Sequence, residues 1–166
     1  MKHYFLVLIL SVFTFGSFAQ ETSTSTYYLI RHAEKDRSDK SNKNPDLTKA
    51  GHERALKWSQ VLNKFGIDAV YSTNYNRTMN TGKPTADANK VTIKTYHPFK
   101  IDMDTFLKET AGKSVLIVGH SNTTASFANK LIGSEIYEEI KDDNNGNLYI
   151  VTVKGSNVSH VLIKME

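Results

Sequence analysis

The sequence predicts a layered α/β domain, a three-layer α/β/α sandwich around a mainly parallel sheet. Short apolar runs suited to strands alternate with segments of helical periodicity along most of the chain. The most apolar run, SVLIVG at 114–119, is short and continuous, as a strand covered on both faces should be. No internal repeat is visible, and a chain of 166 residues fits one domain with a sizeable core.

Taken in order, YYLI (27–30) reads as the first buried strand, and AEKDRSDKSNKNPD (33–46) as a polar surface loop ending in Pro45-Asp46. Gly51, Ala55, Trp58, Leu62 and Phe65 recur at spacings of four and three, so they share one helix face, and Gly66 stops that helix. DAVYS (68–72) is the second strand. Residues 74–88 predict a helix broken or restarted near Gly82 and Pro84. VTIKT (91–95) is the third strand, followed by a loop and a short helix around Asp104 to Thr110. After the fourth strand (114–119), Asn122 to Ile132 is helical with Phe127, Ala128 and Leu131 inward. NLYIVTV (147–153) and SHVLIKM (159–165) form a hairpin around Lys154-Gly155-Ser156-Asn157.

The first nineteen residues are excluded from this fold. Lys2, the apolar run from Tyr4 to Phe15 and the small-residue end at Ser17-Phe18-Ala19 follow the order of a secretory signal peptide. That run is too short for a membrane span, so the expectation is an exported chain, periplasmic or secreted, without a stable membrane anchor. Residues 20–26 are a polar spacer, and 27–166 the domain proper. With no cysteine, stability must come from packing and hydrogen bonds and not from disulfides. The formal net charge of +4 falls by one when Lys2 leaves. This mild excess tolerates an anionic substrate but, without a dense Lys/Arg stripe interleaved with aromatics, gives no reason to expect nucleic acid.

In a sheet of this kind ligands bind at the carboxyl ends of the strands. The first strand ends in Arg31-His32, the second leads through Ser72-Thr73 to Arg77 in the first turn of its helix, and the fourth ends in Gly119-His120-Ser121-Asn122. Any one of these alone is ordinary. An Arg-His pair is usually a solvated edge, and a lone helix arginine usually lies on the surface. Two arginines and two histidines converging on one strand-end surface form a different proposition. Arginine offers a rigid fork of donors to phosphate oxygens. A neutral histidine nitrogen can attack phosphorus, and a protonated one can donate to a phosphoryl oxygen. A helix starting near Asn122 would add backbone N–H groups facing the same anion.

Four stretches, YYLIRHAEK, PDLTKAGHERA, YSTNYNRTMNTGKP and VLIVGHSNT, resemble in order and spacing the histidine phosphatase superfamily, which includes the phosphoglycerate mutases. The length is most similar to small members such as the bacterial phosphohistidine phosphatases. The resemblance implies a phosphoglycerate mutase-like fold, a phosphohistidine intermediate on His32, phosphate binding by Arg31 and Arg77, and a second catalytic histidine at His120. The family's Arg-His-Gly stands here as Arg-His-Ala, so Ala33 is expected to take a conformation for which glycine is commonly used. Larger members place an acid after the third strand. The region here reads KTYHPFKIDMD, leaving His97 and Asp102 as alternatives.

Lys35, Ser121 and Asn122 are candidate substrate contacts. Glu34 and Asp36 belong to the same charged run as Lys35, while His52 is read as exposed on a helix face and His160 as lying on a terminal strand. No histidine pair has the spacing of a zinc helix, and neither metal nor cofactor is expected. Gly119-His120-Ser121-Asn122-Thr123 ends in Thr where a nucleophile elbow needs Gly, which argues against a serine hydrolase. The leading expectation is a metal-independent phosphatase acting on a phosphorylated small molecule or protein and releasing inorganic phosphate. The alternatives are a non-catalytic phosphate-binding or scaffold domain of the same fold and a mutase, for whose substrate-retaining loops the chain has little length to spare.

Overall fold

The computed structural model describes residues 23–165. The signal-peptide reading of residues 1–19 and the start of the spacer therefore lie outside the described residues. Six strands form one sheet in the order β3-β2-β4-β1-β5-β6: β1 Thr24–Arg31, β2 Ala69–Ser72, β3 Ile93–Thr95, β4 Ser114–Gly119, β5 Asn147–Lys154 and β6 Asn157–Lys164. The strands β3, β2, β4 and β1 run parallel, β5 is antiparallel to β1, and β6 is antiparallel to β5.

Four helices cover the two faces: α1 Lys49–Leu62, α2 Asn76–Asn89, α3 Met103–Glu109 and α4 Ser121–Ile132. Alternation along the strands divides the core between them. Tyr28, Ile30, Val70, Leu116, Val118 and Leu148 meet Trp58 and Leu62 of α1 and Ala86 of α2. On the other face Tyr27, Leu29, Tyr71, Val115, Ile117, Tyr149 and Val151 meet Phe106 of α3 and Ala125, Phe127, Ala128 and Leu131 of α4. The result is the expected α/β/α sandwich.

Several expectations need correction. Three of the seven spacer residues are not free, because Thr24, Ser25 and Thr26 extend β1 along β5, with Thr26 also paired to β4. Their β-branched or hydroxyl side chains suit a strand, and Ser25 Oγ accepts the Gly112 N–H at 2.9 Å. Phe65 does not continue the inward helix stripe. Residues Asn63–Phe65 tighten into a 3₁₀ turn, which rotates Phe65 off the stripe and leaves it 48% exposed, stacked on Tyr28.

The second helix is unbroken, with Pro84 inside it. Gly82 is a packing position there, since a Cβ would meet Val118 and Val70 at 3.3 Å each. Proline forfeits only the bond to the Asn80 carbonyl, and the helix runs on until Lys90 turns left-handed at φ 57°. The third strand is shorter than expected, starting at Ile93. The final hairpin is present, turning at Gly155-Ser156.

Candidate active site

Parallel pairing places the ends of β1, β2 and β4 side by side, and backbone bonds carry the pairing into the site. The His32 N–H donates to the Gly119 carbonyl at 2.9 Å, and the Thr73 N–H to the Val118 carbonyl at 3.4 Å. Beyond them opens a cavity of about 660 Å³, within the usual range for small-molecule sites. Its lining includes Arg31, His32, Lys35, Arg77, His97, His120, Ser121 and Asn122. All the sequence-predicted site residues thus share one cavity, except Asp102. The Asp102 carboxylate instead caps α3, accepting the N–H groups of Asp104 and Thr105, so it is corrected from acid candidate to helix cap.

His32 is 3% exposed. Its Nδ1 lies 2.8 Å from the Ala33 carbonyl, which can only accept, so the proton sits on Nδ1 and Nε2 is left with its lone pair. Burial, and the positive charge of Arg31, His120 and Arg77, lower its pKa to about 3, against the Ala33 bond that favours the proton. The ring is therefore neutral at pH 7, as a nucleophile must be.

His120 meets it edge-on with ring centroids 5.6 Å apart. Burial, then Arg77, Arg31 and Lys35, lower its pKa to about 4. His120 Nε2 lies 2.9 Å from Thr73 Oγ1, which donates to Thr78 Oγ1 at 3.0 Å. The Thr78 hydroxyl in turn donates to the Thr73 carbonyl at 2.8 Å. With each hydroxyl proton so placed, Nε2–H of His120 must be the donor to Thr73. The two threonines therefore fix the tautomer of His120.

The two arginines are not equivalent. Arg31 is 2% exposed, and its terminal nitrogens donate to the carbonyls of Lys141 and Asn144 and to the Asp142 carboxylate, which also binds Arg37. Arg77 Nε and Nη1 are buried and have no hydrogen-bond partner among the described residues, while its guanidinium stacks 4.4 Å over the Tyr75 ring. Burial first, then Arg31, weakens the hold of Arg77 on its proton, with Tyr75 opposing. Lys35 is shifted down likewise by burial, Arg37 and Arg77. Cations that repel one another around orphaned donors form a preorganised seat for an anion.

The frame around His32 explains the PDLTKAGHERA stretch. Thr48 caps α1 through the Gly51 N–H, and its own N–H donates to the Glu34 carbonyl at 2.9 Å. A Cβ on Gly51 would sit 2.2 Å from that same carbonyl oxygen. Glu34 is thereby held by α1, and its carboxylate by Arg54. Ala33 corrects the expectation of a glycine-like conformation. Lys90 has the only positive φ among described residues other than glycines, and the Ala33 methyl is fully buried against Leu47 and Ala55. Its N–H donates to Thr81 Oγ1 at 2.9 Å.

Sequence reasoning missed the 141–146 segment. Besides holding Arg31, it anchors the nucleophile strand through Asn145 Nδ2, which donates to the His32 carbonyl at 2.8 Å. It also missed the roles of Thr73, Thr78 and Thr81, although Ser72-Thr73 was visible as a strand end. Glu139 and Asp142 are the carboxylates lining the cavity. Burial raises the Asp142 pKa, but bonds to Arg37 and Arg31 outweigh it and the net shift is down.

Residues 27–100 match the family model described as "Histidine phosphatase superfamily (branch 1)". Over these residues the chain is similar to the histidine phosphatase superfamily. Solved structures share the fold at low identity. The protein histidine phosphatase SixA complexed with tungstate is 15% identical with a TM-score of 0.65, covering 84% of this chain and 96% of that one. A phosphoglycerate mutase from Bacillus anthracis str. Sterne is 11% identical with a TM-score of 0.67, over 86% and 94%. The mycobacterial glucosyl-3-phosphoglycerate phosphatase is 9% identical with a TM-score of 0.61, over 85% and 98%. A comparison with curated proteins finds no significant match. Where that superfamily has Arg-His-Gly this chain has Arg-His-Ala, and the backbone at Ala33 accommodates this without strain.

Proposed function

We propose that the protein is a metal-independent phosphatase that hydrolyses a phosphomonoester through a phosphohistidine on His32. The observation that carries the reading is the pairing of buried donors on Arg77, unpartnered among the described residues, with a neutral His32 whose Nε2 is bare, in one cavity. In the cycle, Arg77 and Arg31 take the equatorial oxygens, and His120 supports them by turning its Nε2–H from Thr73 to the phosphoryl group. The His32 Nε2 lone pair forms the bond to phosphorus as the bond to the leaving oxygen breaks. That oxygen takes a proton on the side of the cavity lined by His97, the remaining acid candidate. Water then attacks phosphorus, the N–P bond breaks and inorganic phosphate leaves.

The tungstate bound by the SixA neighbour, a phosphate mimic, supports an anion seat in this fold. The leader-like first nineteen residues support an exported enzyme, periplasmic or secreted. A signal-peptide cleavage site mapped by N-terminal sequencing of the exported protein tests that part. The catalytic reading is tested with wild type and His32→Ala side by side on a panel of phosphomonoesters, with trapping of acid-labile phosphate on the protein. Turnover and trapping that both require His32 are expected, and full activity in His32→Ala sinks the mechanism. Tight vanadate binding with no turnover of any ester would select the non-catalytic binding domain. That second reading is favoured by the loss of Asp102 as an acid, and migration of phosphate between two positions of one substrate would select the mutase.

A further inference from the structure

The cavity runs from a buried floor to an exposed aromatic wall. Arg31 and His32 at the floor are 2% and 3% exposed, whereas Tyr75 and Phe99 in the same lining are 41% and 71% exposed. Large apolar rings left in water beside a pocket usually mark where a ligand lies. The wall is braced from behind. Tyr96, also in the lining, packs edge-on against Phe127 of α4 at 5.6 Å, and its hydroxyl reaches the Val118 carbonyl at 3.4 Å. His97 meets Phe99 edge-on at 6.1 Å, and Tyr75 is fixed between Arg77 at 4.4 Å and His120 at 5.2 Å.

Charge also divides the cavity. The cations Arg31, Arg77 and Lys35 surround the floor residues, while Glu139 contributes a carboxylate with no ion-pair partner among the described residues. A second anionic group on the substrate would face that carboxylate. Ser121 and Asn122 supply neutral hydroxyl and amide contacts instead.

We infer that the leaving group is a neutral alcohol carrying a planar aromatic ring that stacks on Tyr75 and Phe99, so the substrates are ring-bearing monophosphates of the nucleoside or benzyl kind. The inference rests on the phosphatase reading for turnover but not for binding. Matched pairs test it, because 5′-AMP and ribose 5-phosphate, or benzyl and ethyl phosphate, share a primary alkyl leaving oxygen and differ in the ring. Stacking of this type gives the ring-bearing member roughly a tenfold advantage in kcat/KM. Phe99→Ala, an exposed position, should lower kcat/KM for that member roughly tenfold more than for its partner. Calorimetric binding of 5′-AMP and ribose 5-phosphate to His32→Ala reads the same preference without turnover. Equal affinities there, no binding of either, or an equal loss on both members in Phe99→Ala overturns the inference. Preferential binding of the ring by His32→Ala, with no hydrolysis by wild type, would overturn the phosphatase reading while upholding this one.

Discussion

Lowering the pH from 7.5 to 5.0 should cost the wild-type protein about 2 kcal/mol more stability than it costs a His32→Gln variant. His32 is shifted from 6.5 in the unfolded chain to about 3 in the fold, first by burial and then by Arg31, His120 and Arg77. Between those values the unfolded ring binds a proton that the native ring refuses. Stability is therefore complete above pH 6.5, falls as the pH drops toward 3, and is lost no further below. At pH 5.0 the unfolded ring is about 1.5 units below its pKa, and at about 1.4 kcal/mol per unit this gives the 2 kcal/mol. His120, shifted down to about 4, adds a contribution of the same sign that remains in the variant. Urea unfolding of both proteins at pH 7.5, 6.0 and 5.0, in buffers without phosphate, measures the difference. Parallel pH profiles would show that His32 is not held neutral by its surroundings, and the proposed nucleophile would lose its main electrostatic support.

Arg77→Ala removes charge-assisted bonds from the anion seat and should weaken vanadate binding roughly 10- to 100-fold, read by calorimetry. Gly51→Ala drives a methyl into the Glu34 carbonyl, where a Cβ would lie 2.2 Å away, and should cost about 1–3 kcal/mol in unfolding experiments and lower kcat. Ala33→Gly, which restores the family's triplet, should destabilise by about 1–2 kcal/mol without raising kcat. Its methyl is buried against Leu47 and Ala55, and the backbone has no need of glycine.

The fold was legible where one physical rule dominates. The run SVLIVG can hardly be anything but a strand covered on both faces, and the spacing of Ala55, Trp58 and Leu62 fixes the inner face of α1. Errors fell where tertiary contacts override local chemistry. Thr24, Ser25 and Thr26 look like linker, yet pairing with β5, and for Thr26 with β4 as well, makes them strand. Gly82 and Pro84 look like breakers, yet packing against Val70 and Val118 keeps the helix whole. His32, Arg77 and His120 could be assembled from sequence because parallel strands deliver their carboxyl ends to one edge. Asp102 could not be excluded, because a carboxylate that caps a helix and one that faces a substrate look alike in sequence.

The missing half of the site follows from strand direction. Reading only carboxyl ends suits a parallel sheet, but β5 is antiparallel to β1, with Leu148 beside Ile30. Its amino end therefore arrives where the carboxyl end of β1 stops, and the chain leading into it, Lys141 to Asn145, must pass over Arg31 and His32. That segment supplies two carbonyls and the Asp142 carboxylate to Arg31 and an amide to the His32 carbonyl. Arg31, held at both terminal nitrogens, is a fixed wall of the site with only its buried Nε left without a partner among the described residues, and the freedom to meet an incoming phosphate belongs mainly to Arg77, whose buried Nε and Nη1 both lack one there. The two arginines should therefore respond differently to substitution. Loss of Arg77 should appear in anion affinity. Loss of Arg31 should also release the 141–145 segment, which would appear as lost stability even with no anion present.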